Sequence, residues 1–101
     1  MKYKASIRIE YDPLKISANK LKAHLTPAFE RHKLSVDFSE SVDRLDYKSF
    51  PNQNRTYLLI SAEREMRHLK TFHFLSMVLQ GEVGLLLNLA SVFSVSFDVV
   101  D

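Results

Sequence analysis

Residues 3–11 read YKASIRIEY, and the stretch alternates apolar with polar or charged side chains without a break. One side takes Tyr3, Ala5, Ile7, Ile9 and Tyr11, and the other takes Lys4, Ser6, Arg8 and Glu10. This period of two predicts a β-strand with one buried face and one face in water. Pro13 cannot donate to a sheet ladder, so the strand is expected to end just before it.

Three further segments have strand character. Residues 34–38 alternate in the same way, and residues 93–99 alternate Phe and Val with Ser and Asp. Residues 56–62 are apolar on both faces, which predicts a central strand. Residues 39–55 are the most loop-like part of the chain, although some of them could extend the second and third strands as a hairpin arm.

Two segments have helical spacing. In the first, Ser17 is a predicted N-cap, and apolar residues recur every three or four positions after it. Pro27 leaves two alternatives: the helix ends near Leu25, or it kinks and continues to about Arg31.

The second helix is predicted to begin at Glu63 or Arg64 and to run to Gln80, with Gly81 as its C-cap. Residues 83–90 are either a second short helix or a connector.

The order of elements is therefore strand, helix, strand, strand, helix, strand. This order predicts one α+β domain over residues 1–101 with a ferredoxin-like βαββαβ fold. Right-handed crossovers place both helices on one face of a four-stranded antiparallel sheet.

Composition excludes several classes of function. The 101 residues contain no cysteine, so disulfides, thiolate metal sites and thiol nucleophiles are excluded, and a cytoplasmic location is expected. Residues 83–97 carry no charge, but the stretch is shorter than a membrane span and contains Asn and Ser, so a buried segment rather than membrane association is expected.

The residues that could act in catalysis or bind a metal do not form a known catalytic pattern. His68 and His73 are five residues apart, and His24 and His32 are eight apart, so neither pair has the spacing of helical metal ligands. There is no Gly-x-Ser-x-Gly elbow, and no Gly-rich loop follows the first strand. We therefore predict a protein that is not an enzyme and that takes no cofactor, no metal and no small-molecule substrate.

The first third of the chain is basic, with eight Lys or Arg against three acids in residues 1–33. A basic surface attracts nucleic acid through phosphate contacts. The candidate contact residues are Lys20, Lys22, Arg31, Lys33, Arg64, Arg67 and Lys70. The basic-Gly-aromatic signature of RNA-recognition motifs is missing, so RNA or DNA binding is the alternative function.

The second helix contains more apolar side chains than one sheet face should bury. The candidate interface residues are Met66, Leu69, Phe72, Phe74, Leu75 and Val78. Excess apolar area on a small domain marks a partner surface, unless residues 83–90 fold back and cover it. We therefore predict a non-catalytic interaction domain that binds a protein partner or forms a homodimer. A small inhibitor or immunity protein belongs to the same class.

Several short segments resemble the small dimerising subunit of the KEOPS tRNA-modification complex. They are the first strand, the Leu25-Thr26-Pro27 turn, the step Ile60-Ser61-Ala62-Glu63 and the pair Leu69-Lys70. The connection over residues 39–55 and the final strand depart from that family's pattern. The resemblance implies a non-catalytic accessory subunit in tRNA processing, with the second helix as its interface.

Overall fold

In a computed structural model, which describes residues 2–44 and 54–100, the chain folds into one antiparallel sheet with helices on one side. The elements are β1 (Lys2–Tyr11), α1 (Ala18–Arg31), β2 (Ser35–Arg44), β3 (Asn54–Glu65), α2 (Leu69–Gly84), a short 3₁₀ helix (Leu85–Asn88) and β4 (Val92–Val100). The strand order is β2-β3-β1-β4. The predicted ferredoxin-like fold is confirmed.

The alternation in β1 builds the core. All five side chains on its apolar side are buried, whereas its opposite side faces outward. Leu21, Leu25 and Phe29 of α1 and Leu75, Leu79 and Val83 of α2 pack in the same cluster. The two helices therefore cover one face of the sheet and leave the other face open, as the pattern predicts.

Local signals place α1 as expected. Ser17 is the N-cap, and its hydroxyl accepts a hydrogen bond from the Lys20 backbone N–H at 3.2 Å. Pro27 lies inside the helix, which continues to Arg31. The structure therefore adopts the second alternative, in which the helix continues past Pro27.

The hairpin arm is present in part. β2 extends beyond residue 38 to Arg44, and β3 begins at Asn54, with Val42 paired to Thr56. Residues 39–44 and 54–55 thus belong to strands rather than to a loop. The rest of the predicted connection, residues 45–53, lies outside the described residues.

The predicted start of the second helix is wrong. Glu63, Arg64 and Glu65 continue β3, where they pair with the first residues of β1. Lys2 and Glu63 are joined by a salt bridge of 3.3 Å across the two strands. β1 begins at Lys2, so each of these three residues has a pairing partner on β1. They therefore remain in the strand, and α2 begins only at Leu69.

The predicted end of the second helix is also wrong. Gly81 lies within α2, which continues to Gly84 and leads directly into the 3₁₀ helix. Val83 and Leu86 are both buried in the core. Burial of these two side chains stabilises another helical turn beyond Gly81. Residues 83–90 therefore contain the end of α2 and the 3₁₀ helix.

Candidate protein-binding surface

α2 is apolar on two sides, and only one of them faces the core. Phe72, Leu75, Leu79 and Val83 point inward and are buried. They follow the three- and four-residue spacing of one helical stripe. Since this stripe already fills the space above the sheet, the remaining apolar residues of α2 stay at the surface.

The outward side of α2 carries a continuous apolar surface, which we call the α2 face. It consists of Phe74, Met77, Val78, Gly81 and Leu85. Phe74 is 60% exposed, Met77 67% and Leu85 64%, and Val78 is partly buried. The spacing of three, four, seven and eleven residues places all five on one side of the helix. Leu85 keeps helical backbone angles, so the spacing holds to the end.

The α2 face is also uncharged. Between Lys70 and Glu82, α2 contains no Asp, Glu, Lys or Arg. A solvent-facing helix of a monomeric protein normally carries charged residues on its outer side. The α2 face thus combines exposure, contiguity and absence of charge, three properties of a surface that another protein covers.

Gly81 lies in the middle of the α2 face. A Cβ placed there would meet no atom within 4 Å, and its φ is not positive. Neither crowding nor backbone conformation within the protomer therefore requires glycine, although glycine in a helix interior costs about 1 kcal/mol relative to alanine. A glycine at this position leaves the helix backbone open to close approach.

The structure divides the predicted interface residues into two groups. Met66, Phe72 and Leu75 are buried in the core of the protomer, so they do not form a surface that a partner could reach. Phe74 and Val78 lie on the α2 face, and the side chain of Leu69 lies outside the described part of the structure.

Two large exposed side chains of the α2 face were not among the predicted residues. Met77 and Leu85 follow Phe74 by three and eleven residues. Helical spacing from Phe74 could have identified them once the inward stripe was known.

A polar cluster fixes α2 against the end of α1. Arg31 Nη1 donates to Glu82 Oε1 at 2.8 Å, and His32 Nε2 lies 3.6 Å from Glu82 Oε2. Arg64 Nη1 donates to the backbone carbonyl of His32 at 2.9 Å. Through these contacts α1, α2 and β3 hold one another at this end of the sheet, which sets the orientation of the α2 face.

The candidate nucleic-acid contacts do not form one surface. Arg31 and Arg64 are engaged in the polar cluster, and the Lys22 ammonium lies 5.6 Å from the centre of the Phe38 ring. Lys20 is in the first turn of α1, whereas Lys33 follows its last turn, about 20 Å away along the helix axis. Lys20, Arg31, Lys33, Arg67 and Lys70 are exposed, and of these Arg31 is paired with Glu82.

The open face of the sheet does not suit base stacking. Tyr57 is the single aromatic residue on this face of the described strands, and it is 7% exposed, with the Arg8 guanidinium 4.9 Å from its ring centre. The charged residues of the face are Lys2, Lys4, Arg8 and Arg55 against Glu10, Asp37, Asp43, Glu63, Glu65 and Asp98. This excess of acids repels a phosphate backbone.

Residues 2–44 and 54–100 contain neither a candidate metal cluster nor a membrane-spanning helix. No group of three or more His, Asp or Glu side chains in these ranges could hold a metal ion. No helix in them is both long enough and apolar enough to cross a membrane.

The topology and the two-layer packing define a small ferredoxin-like domain. Among solved structures, the C-terminal domain of the MgtC protein from Mycobacterium tuberculosis superposes with a TM-score of 0.52 and 9% identity, over 97% of this chain and 87% of that one. The 30S ribosomal protein S6 from Thermotoga maritima superposes with a TM-score of 0.50 and 9% identity, over 99% and 89%. These likenesses are at the level of the fold.

No model of a known protein family matches the sequence, and no curated protein matches it either.

Proposed function

We propose that this chain is a non-catalytic binding domain whose α2 face contacts another protein molecule. The observation that carries the proposal is the exposed, uncharged row of Phe74, Met77, Val78 and Leu85 around Gly81. Single exposed apolar residues are normal on protein surfaces. A contiguous row of exposed apolar residues on one side of a helix is unusual on such surfaces and is typical of an interface.

The 3₁₀ helix does not remove this exposure. Leu86 packs into the core, and Leu85 and Leu87 remain 64% and 52% exposed. The segment that follows α2 thus extends the apolar surface instead of covering it. The alternative in which residues 83–90 fold back over α2 therefore does not account for Phe74 and Met77.

The KEOPS resemblance offers one identity for the complex. In that proposal the chain is an accessory subunit in tRNA processing, and its second helix is the contact. The location of the α2 face on that helix supports the idea. An inhibitor or immunity protein would use the same surface on a different target.

Nucleic-acid binding is the second candidate. Lys33, Arg67 and Lys70 are exposed, and the contact between Arg64 and His32 brings the segments that carry them close together. Such binding would depend on phosphate contacts, so its affinity would fall steeply with salt. Filter binding of single-stranded RNA at low and moderate salt tests it, and the absence of binding at low salt would exclude it.

Substitution of the α2 face tests the main proposal. Phe74→Asp and Met77→Asp place a carboxylate in the surface without touching the core. Leu14→Asp is the matched control, because Leu14 is 95% exposed in the turn that follows β1. We expect tagged wild type and Leu14→Asp to retain the same partner from the native cell, and the two α2 variants to lose it. Equal retention by all four proteins would refute the role of the α2 face.

A further inference from the structure

The two edges of the sheet differ in how they are protected. β2 and β4 are the outer strands, so each has one row of backbone N–H and C=O groups without a strand partner. β2 contains Asp37, Glu40, Asp43 and Arg44, whereas β4 contains a single charged residue, Asp98. Natural edge strands are usually protected by charge, proline or short length. β4 has nine residues and no proline, and its sequence is VFSVSFDVV.

The side chains of β4 on the helix side are incompletely covered. Val95, Phe97 and Val99 pack against the core but remain partly exposed. Phe93 is 58% exposed and is the extra residue of a β-bulge, since Val92 pairs with Tyr11 and Ser94 with Glu10. The bulge lies at the beginning of the strand, and residues 94–100 pair regularly with β1. A long, regular and weakly charged edge is therefore free to accept another strand.

We propose that β4 pairs antiparallel with β4 of a second copy of this chain, which joins two four-stranded sheets into one of eight strands. The inference rests on the proposed binding role and names the partner. A two-fold axis makes the interface isologous, so the same surface is used twice. A strand with one charged residue, Asp98, suits this symmetry, because a register that keeps Asp98 off the axis brings no like charges together.

Ser96 is the middle residue of β4, so a two-fold axis beside it pairs the strand over its whole length. An axis beside Ser96 sets Val95 opposite the second copy's Phe97, and Ser94 opposite its Asp98. An axis beside Asp98 would set two carboxylates against each other, which is unfavourable. The Ser96 register therefore gives apolar pairs on the helix side and hydroxyl–carboxylate pairs on the open side.

α2 is the helix nearest the β4 edge. α2 contacts β4, and α1 contacts β2 at the other edge. Pairing through β4 consequently brings the two copies of α2 towards each other across the axis.

A charge on the axis tests the proposal. Ser96 pairs with Arg8 within the protomer and is exposed, so Ser96→Asp keeps a favourable neighbour in the folded chain. In the dimer it sets two carboxylates side by side, and we expect the dimer dissociation constant to rise about tenfold or more. Ser39→Asp, on the exposed open side of β2, is the control and should leave association unchanged. Sedimentation velocity over a range of concentrations measures both.

Disulfide trapping tests the register of the β4–β4 pairing directly. The chain has no cysteine, so Ser96→Cys introduces one thiol per copy. Residues directly opposite on antiparallel strands have Cα atoms about 4.5–5.5 Å apart, which lies within the disulfide range of about 4.4–6.8 Å. We expect oxidation to give a covalent dimer for Ser96→Cys and not for Ser39→Cys.

The outcomes separate this inference from the proposed function. A dimer that Ser96→Asp weakens and Ser96→Cys traps supports the pairing, whereas the role of the α2 face is decided by Phe74→Asp and Met77→Asp. A wild-type chain that is monomeric at every concentration, yet captures a partner through Phe74, overturns the pairing and leaves the proposed function standing. A dimer whose dissociation constant is unchanged by Ser96→Asp and that Ser96→Cys does not trap also overturns the pairing. A monomer that captures nothing through the α2 face overturns both proposals.

Discussion

The rings of Tyr3 and Phe72 meet nearly edge to face, with centroids 4.9 Å apart and planes at 70°. Tyr3 is at the beginning of β1, and Phe72 is in the first turn of α2. Both are buried, so this pair fixes the start of α2 on the sheet. Phe74, two residues further on, has the same side chain and points to the opposite side, into solvent.

This contrast predicts opposite roles for two neighbouring phenylalanines. Phe72→Ala leaves a cavity in the core and should lower the free energy of unfolding by about 3–5 kcal/mol. Phe74→Ala removes an exposed ring and should change it by less than about 0.5 kcal/mol. Urea unfolding at a protein concentration where association is negligible measures both. Equal losses for the two variants would show that α2 packs with a different face inward.

Tyr3 also makes stability depend on pH in the alkaline range. Burial raises the pKa of its hydroxyl above the ordinary value of 10.0, and Ser76 partly offsets this. The hydroxyl has no partner with full hydrogen-bond geometry among the described residues, so burial dominates. The unfolded chain ionises first as pH rises past about 10, and the folded state therefore loses relative stability from that pH upward. Burial, together with the nearby Glu40 carboxylate, raises the pKa of Tyr11 in the same direction.

We expect the free energy of unfolding to fall as the pH rises above about 10, by up to about 1.4 kcal/mol per pH unit for each tyrosine. Tyr3→Phe removes one ionising group and a buried hydroxyl, so it should flatten the fall and cost little at neutral pH. Denaturant unfolding at several pH values compares the two proteins. Parallel curves for wild type and Tyr3→Phe would contradict the assignment.

The fold could be predicted from the sequence because apolar and polar side chains alternate along its strands. This alternation gives the sheet one buried face and one face exposed to solvent. Tyr3 to Tyr11 is unambiguous, and residues 93–99 repeat the pattern. The boundary of α2 could not be predicted from local pattern. Glu63-Arg64-Glu65 suits the first turn of a helix as well as the end of a strand, and only the position of Lys2 on β1 decides between them.

The candidate site was predicted only in part, for a related reason. α2 is apolar on both sides, so the helical period does not show which stripe is inside. The inward stripe is set by the sheet beneath it, where Tyr3 meets Phe72. Of the residues predicted for the interface, Phe74 and Val78 lie on the α2 face, whereas Met66, Phe72 and Leu75 are enclosed by the core.

Proline at residue 64 distinguishes the two interpretations of this segment. In the first turn of a helix it would be tolerated. In β3, Arg64 pairs with Tyr3 of β1 one residue beyond the end of the β2 pairing, and proline there removes a backbone donor from a strand. We expect Arg64→Pro to lower the free energy of unfolding by more than Arg64→Ala does, because it changes the strand backbone as well as the side chain. Arg64→Ala, which loses only the hydrogen bond to the His32 carbonyl, should cost about 0.5–1.5 kcal/mol. Urea titration of both variants measures the difference, and a mild effect of the proline would restore the helical interpretation.

Gly81 gives a prediction in which folding and association change in opposite directions. Gly81→Ala puts a methyl group into open space within a helix, so it should raise the stability of the isolated protomer by about 0.5–1 kcal/mol. If another molecule approaches the helix backbone at this position, the same methyl group occupies the contact and weakens association. Gly81→Leu enlarges the obstruction, whereas Gln80→Leu adds the same side chain at an exposed neighbour outside the α2 face and serves as the control. Thermal unfolding and sedimentation velocity on the three variants give the two readouts. Association that is unchanged by Gly81→Leu would show that the centre of the α2 face does not touch a second copy of the chain.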